Sequence, residues 1–161
     1  MSDLERVKAF LAAHNTMTLA TTGLDGGPQA AAVFYAADDQ LNLYFLSSPS
    51  SRHSQNLMRD ARVAATVHSD GQAWQKIRGV QIEGSVQLVE DARMLGEAVR
   101  TYAGRYDFLR GLLDDGGDGP PALRGPVASS RFYLLRPAWI RLIDNSQGFA
   151  HKEEWTFDSN G

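Results

Sequence analysis

Three strand-like runs lie between residues 17 and 45 with only short turns between them, and neighbours joined that closely pair as hairpins. Residues 17–22 are rich in threonine and apolar side chains that favour extended backbone. Asp25-Gly26-Gly27-Pro28 is a strong turn signal. Residues 29–37, which hold Val33, Phe34 and Tyr35, read as the return strand. Asp38-Asp39 marks a second turn, after which Leu41, Leu43 and Phe45 recur at period two. The opening of the chain is a β-meander.

The remainder continues in the same manner around short helices. Leu4, Val7 and Leu11 recur at helical spacing beside Phe10, so residues 3–14 are expected to form an amphipathic helix. Asp3 and Glu5 suit its positive end. Residues 52–60 read as a second short helix with Ser50 or Ser51 as N-cap. Val63, Ala65 and Val67 alternate, and so does the stretch 76–89, where Gly79 and Gly84 suggest bulges or a sharp barrel bend. Asp91 is placed to cap a third helix whose apolar face is Leu95, Ala98, Val99 and Tyr102. Phe108, Leu109, Leu112 and Leu113 extend that helix by a further turn or two. Residues 114–126 are rich in Asp, Gly and Pro and read as a mobile loop within the domain. Two last strands are expected around Pro137, one with Phe132 and Leu134 and one over 139–143. Residues 145–161 form a polar tail.

Sequential strands without βαβ repeats favour an antiparallel sheet closed into a barrel. The expected class is mainly β with peripheral helices, and residues 1–161 are expected to form one domain. The chain has no cysteine, which excludes disulfides, zinc–thiolate sites and a cysteine nucleophile. Its net charge of −3 argues against a general electrostatic grip on nucleic acid. Charges interrupt every apolar run near the N-terminus, and no stretch approaches the roughly 18 apolar residues of a spanning helix. A cytoplasmic protein that engages neither membrane nor nucleic acid is expected.

The stretch 44–56, YFLSSPSSRHSQN, carries the most chemical information. A strand ends in hydroxyl residues and runs into a helix start, where unpaired backbone N–H groups favour an anion. Ser47, Ser48, Ser50 and Ser51 add hydroxyls. Arg52 adds a forked, permanent cation suited to phosphate oxygens. His53 adds a ring donor whose pKa a bound dianion would raise. These residues suit one terminal phosphate. They equally suit a serine-rich helix cap with a solvated Arg and His, and the segment alone leaves both readings open.

The chain resembles the pyridoxamine 5'-phosphate oxidase-like family of flavin-binding split barrels. Three pieces carry the resemblance: MTLATTGLDGGPQAAAVFYA, YFLSSPSSRHSQNLMRDARVAATV and GVQIEGSV. The resemblance as a whole extends from near Thr16 to about Ile143. The resemblance implies an antiparallel split β-barrel and a homodimer with flavin mononucleotide (FMN) in a groove between subunits. It places phosphate contacts on Ser47, Ser48, Arg52 and His53, the last standing where the family usually has lysine. It runs the strand Val33, Phe34, Tyr35 along the flavin ring, to which it offers backbone groups. It turns Gln81 toward cofactor or substrate, and residues 74–78 toward the partner subunit.

The activity so implied is a flavin-dependent oxidoreduction of a small substrate, with the chemistry on the flavin and no catalytic side chain named. A non-catalytic flavin, deazaflavin or haem carrier of the same fold is the alternative, and a cofactor-free interaction module is a third reading. His68 and His151 are the haem or metal candidates, while none of the four histidines forms a spaced metal motif. His14 suits a helix C-terminus. Trp139 and Trp155 read either as ring-stacking residues or as packing. Glu83 and Glu90 read as a solvated strand face, with an acid or base role as the alternative. The tail reads as an ordered surface segment, as a cover over a ligand, or as an arm to the other subunit.

Overall fold

Val7, Phe10 and Leu11 bury one face of helix α1 (Asp3–Ala13) against the open end of a β-barrel. The structure, a computed structural model, describes residues 3–114, 118 and 120–158. Strands β1 (Thr16–Thr22), β2 (Pro28–Ala37) and β3 (Leu43–Ser47) form the meander. Helix α2 (Arg52–Leu57) follows, then β4 (Arg62–His68) and β5 (Arg78–Leu88). Helix α3 (Ala92–Arg105) precedes the short pair β6 (Leu113–Asp114) and β7 (Ala122–Leu123). Strands β8 (Arg131–Asp144) and β9 (Lys152–Thr156) complete the described chain.

The main sheet runs β3-β2-β1-β4-β5-β8-β9, and a further β3–β8 pairing closes six of these strands into an antiparallel barrel. Alternating residues of β1, β4 and β5 point inward, among them Met17, Leu19, Val67, Val80 and Ile82, and fill the interior. Tyr44, Phe132 and Leu134 point outward on β3 and β8, yet they too are buried, because α3 covers them with Ala98 and Tyr102. A strand covered on both faces reads as a continuous apolar run. This is why residues 132–135 show no alternation.

The structure corrects the expected elements at six places. Pro137 does not separate two strands, because β8 passes through it unbroken. Residues 131–135 of β8 pair with β3, and residues 139–143 pair with β9 along the same edge. Pro137 stands where that edge changes partner, a place that requires no N–H. The neighbouring strand accommodates the exchange with a register shift between Glu83 and Gly84. A Cβ on Gly84 would lie 2.2 Å from the Arg136 carbonyl oxygen, so only glycine fits. The expected tail contains a strand, β9. Strand β3 begins at Leu43, since Leu41 sits in the turn with φ 65°. Helix α2 ends at Leu57, short of residue 60. Residues 107–112 form a separate 3₁₀ turn after α3 breaks at the extended Tyr106. Of the loop expected over 114–126, β7 and a 3₁₀ turn at Gly125–Val127 are ordered structure; residues 115–117 and 119 lie outside the described residues.

Candidate functional site

Ser47 ends β3, and the chain turns through residues 48–50 into α2. Ser51 is the N-cap: its hydroxyl accepts from the backbone N–H of Ser54 at 3.3 Å and donates to the Ser54 hydroxyl at 2.8 Å. Asn56 of the same helix donates to Thr21 Oγ1 at 3.0 Å, which docks α2 on the end of β1. This anchoring brings hydroxyls and imidazole together. His53 Nε2 lies 2.5 Å from Ser47 Oγ and 3.2 Å from Ser51 Oγ, and these two hydroxyls are 3.2 Å apart. Ser48 and Ser50 pair with each other at 2.8 Å on the exposed side.

Arg52 is exposed and makes no hydrogen bond or ion pair among the described residues. Its Nη2 stands over the β1–β2 turn, 3.9 Å from where a Cβ on Gly23 would be. Burial holds the His53 imidazole below its ordinary pKa, so the ring favours its neutral form. The cluster thus offers hydroxyls, a neutral imidazole and an unpaired guanidinium, with no carboxylate bonded into it. That donor set fits a phosphate. His53 can accept a proton when the phosphate brings compensating charge.

The structure places the other predicted residues in three ways. The side chains of Val33 and Tyr35 turn inward, and the Tyr35 hydroxyl donates to the Leu11 carbonyl at 2.7 Å. Only the backbone of these two residues is available outside the barrel. Phe34 points outward and is 56% exposed, beside Tyr106. Gln81 is half-buried on the outer face of β5 and accepts from Arg141 at 3.3 Å, with no bond to the serine cluster.

A feature the sequence reading missed lies on β2. The Tyr35 N–H donates toward β1, to the Asn15 carbonyl, so strand alternation turns the backbone groups of Ala30 and Ala32 to the opposite edge. Strand β3 pairs with β2 only over residues 35–37 and leaves that edge open next to Ser47. The Gln29 side chain already donates to the Ala30 carbonyl there. The alanine run 30–32 was the available signal, since small side chains let a ligand approach backbone. The cluster lines none of the clefts of about 400, 460 and 480 Å³, of which two lie beside α1 and the third beside Pro137 of β8. It lies at the surface, with Ser50 and Arg52 exposed and Ser47, Ser51 and His53 half-buried.

The remaining candidates have other work. His14 bonds the Phe10 carbonyl and the Ser69 hydroxyl. His151 pairs with Glu153 at 2.9 Å, and exposed His68 lies 3.3 Å from the Ser69 carbonyl. Trp139 lies under the Arg141 guanidinium at 4.8 Å, and Trp155 packs on the core. No helix among the described residues is long and apolar enough to cross a membrane.

The chain is a six-stranded split barrel with hydroxyl, imidazole and guanidinium groups gathered after β3, and comparison with known proteins gives its family. The sequence profile of the pyridoxamine 5'-phosphate oxidase family matches residues 4–143. The chain belongs to that family. It is 31% identical over 160 residues to the UPF0306 protein YhbP of Salmonella paratyphi A, covering 99% of this chain and 97% of that one. It is 33% identical to a pyridoxine/pyridoxamine 5'-phosphate oxidase of Cupriavidus metallidurans, covering 84% and 69%. Among solved structures, a haem-binding protein from Mycobacterium smegmatis superposes with a TM-score of 0.74 at 19% identity, covering 97% of this chain and 58% of that one. An F420 reductase superposes with a TM-score of 0.56 at 24% identity, covering 83% and 94%.

Proposed function

We propose that the chain binds FMN, with the phosphate on Ser47, Ser48, Arg52 and His53, and acts as a flavin-dependent oxidoreductase on a small substrate. One observation carries the reading: the hydroxyls of Ser47 and Ser51, the His53 ring and an unpartnered Arg52 converge beside the open edge of β2. Every group in that set donates or turns to donate, and none has an anionic acceptor among the described residues. The flavin ring would lie along the outer sheet face, where Ala30 and Ala32 offer backbone and Phe34 offers an aromatic edge. Bound flavin would supply hydride or electron transfer, and the chain's residues hold and orient the ring. Because the cluster lies at the surface, a second copy is the expected cover, which makes the working form a homodimer. Family membership and the oxidase relative support the flavin; the F420 and haem neighbours make deazaflavin and haem the competing ligands.

Titration with FMN, followed by fluorescence quenching and the visible spectrum, tests the reading. Saturable binding by wild type, lost in Arg52→Ala, supports it. A chain that ignores FMN but binds haem with a Soret band overturns it, and so does one that binds only the deazaflavin. Light scattering in solution tests the dimer, and a monomer at all concentrations removes that part.

A further inference from the structure

Gln81, Arg141 and Glu154 occupy one row across β5, β8 and β9, on the outer face of the barrel. Glu154 accepts from Arg141 Nε at 2.9 Å and lies 2.8 Å from its Nη2. Arg141 is also stacked over the Trp139 ring at 4.8 Å. Its remaining nitrogen, Nη1, reaches the Gln81 side-chain oxygen at 3.3 Å. Three contacts thus fix a guanidinium that is otherwise on the surface.

The chemistry of this contact settles which way the glutamine amide faces. A guanidinium only donates, so the amide must meet it with oxygen. The amide NH₂ is then turned away from Arg141, and it has no partner among the described residues. In the same row the Thr66 hydroxyl donates to the Val80 carbonyl, and Thr18 lies one strand further on. Nothing in this row competes for the NH₂.

We propose that Arg141 is a positioning residue: held by Glu154 and Trp139, it locks Gln81 so that its NH₂ is presented outward as a hydrogen-bond donor to a ligand acceptor. This rests on the flavin reading, under which the acceptor is a carbonyl oxygen or an unprotonated ring nitrogen on the edge of the flavin. A donor there stabilises the electron-rich reduced ring. Strand β9, which lies outside the closed barrel, has the task of delivering Glu154 to this relay.

The test has one arm without cofactor. The Gln81 side-chain amide is assigned in the ¹H–¹⁵N spectrum by its disappearance in Gln81→Glu. Arg141→Met should collapse the separation of its two proton shifts toward that of freely rotating glutamines, and Arg141→Lys should restore part of it. An unchanged Gln81 amide in Arg141→Met overturns the relay. The second arm uses FMN. Arg141→Met and Gln81→Ala should each weaken binding by about fivefold, the worth of one net hydrogen bond. Each should also make the flavin potential more negative, and the double variant should add nothing further. Losses that multiply in the double variant, or an unmoved potential, overturn the proposal. Should wild type bind no FMN, the flavin reading falls, and the amide spectrum still decides whether Arg141 orients Gln81. Glu154→Gln, exposed at the edge of β9, keeps the fold and reports on the same relay if Arg141→Met is unstable.

Discussion

Two polar clusters sit at opposite ends of β1 and β2, built from similar side chains, and they differ in what their donors meet. At one end, Tyr35 donates to the Leu11 carbonyl at 2.7 Å, and Arg105 donates to the carbonyls of Ala12 and, at 2.9 Å, of His14. Tyr106 donates to the carbonyls of Tyr35 and Asn15, and His14 bonds that of Phe10. The carbonyls of Phe10, Leu11 and Ala12 are acceptors at the C-terminus of α1, and the cluster ties α1 to the barrel through them. At the other end, Ser47, Ser51 and His53 bond one another and Ser51 also caps Ser54, while Arg52 makes no hydrogen bond or ion pair among the described residues. Donors that end on backbone carbonyls hold a fold together. Hydroxyls and an imidazole that donate only to side chains, beside a cation with no partner among the described residues, suit an acceptor from outside.

The largest effect should come from the uncommitted end. Arg52→Ala should weaken FMN binding about 10- to 100-fold, the range of a charge-assisted bond of roughly 1.5–3 kcal/mol, and leave the melting temperature within about 1 °C. A large drop in stability would mean that Arg52 is structural and would erase the contrast. The converse is expected of Tyr35→Phe. It leaves the Leu11 carbonyl with only the long 3.4 Å bond from the His14 N–H and should cost about 1–2 kcal/mol in denaturant unfolding, with FMN affinity unchanged. Arg105→Ala, at an exposed position, should cost less, about 1 kcal/mol, again without touching affinity.

The smallest effects depend on pH. Burial lowers the His53 pKa in the folded chain, so the fold favours the neutral ring. The unfolded chain then takes up the proton first as pH falls. The stability His53 contributes is full above the ordinary histidine value of about 6.5 and is lost as pH falls through the lower folded value. The melting temperature should decline more steeply on acidification in wild type than in His53→Gln, and parallel curves would refute this. Bound phosphate reverses the preference, because a dianion favours the charged ring. FMN affinity should therefore fall as pH rises through the histidine range, and His53→Lys should flatten that slope.

Local patterns showed much of this molecule. Period-two alternation marked β4 and β5, because each has one face on the interior and one outside, and strand-favouring composition marked β1. The two caps were legible from residue type: Asp91 accepts from the Met94 N–H at 2.8 Å, as Ser51 does from that of Ser54. The serine cluster was visible because all its members fall within seven consecutive residues. Gln81 was visible as a candidate, but its partner Arg141 lies 60 residues away and Glu154 a further 13, at spacings no local pattern records.

By itself, then, the sequence determined which segments extend, where the helices start and where a phosphate-suited group of side chains gathers, since each follows from neighbours a few bonds apart. Only the tertiary structure decided how the barrel closes, why β8 continues through Pro137, that the polar tail contributes a strand, and which backbone edge of β2 lies open. Those outcomes depend on strand pairings between distant residues. A proline that breaks a ladder and a proline that stands where a strand changes partner look the same until the partners are in place.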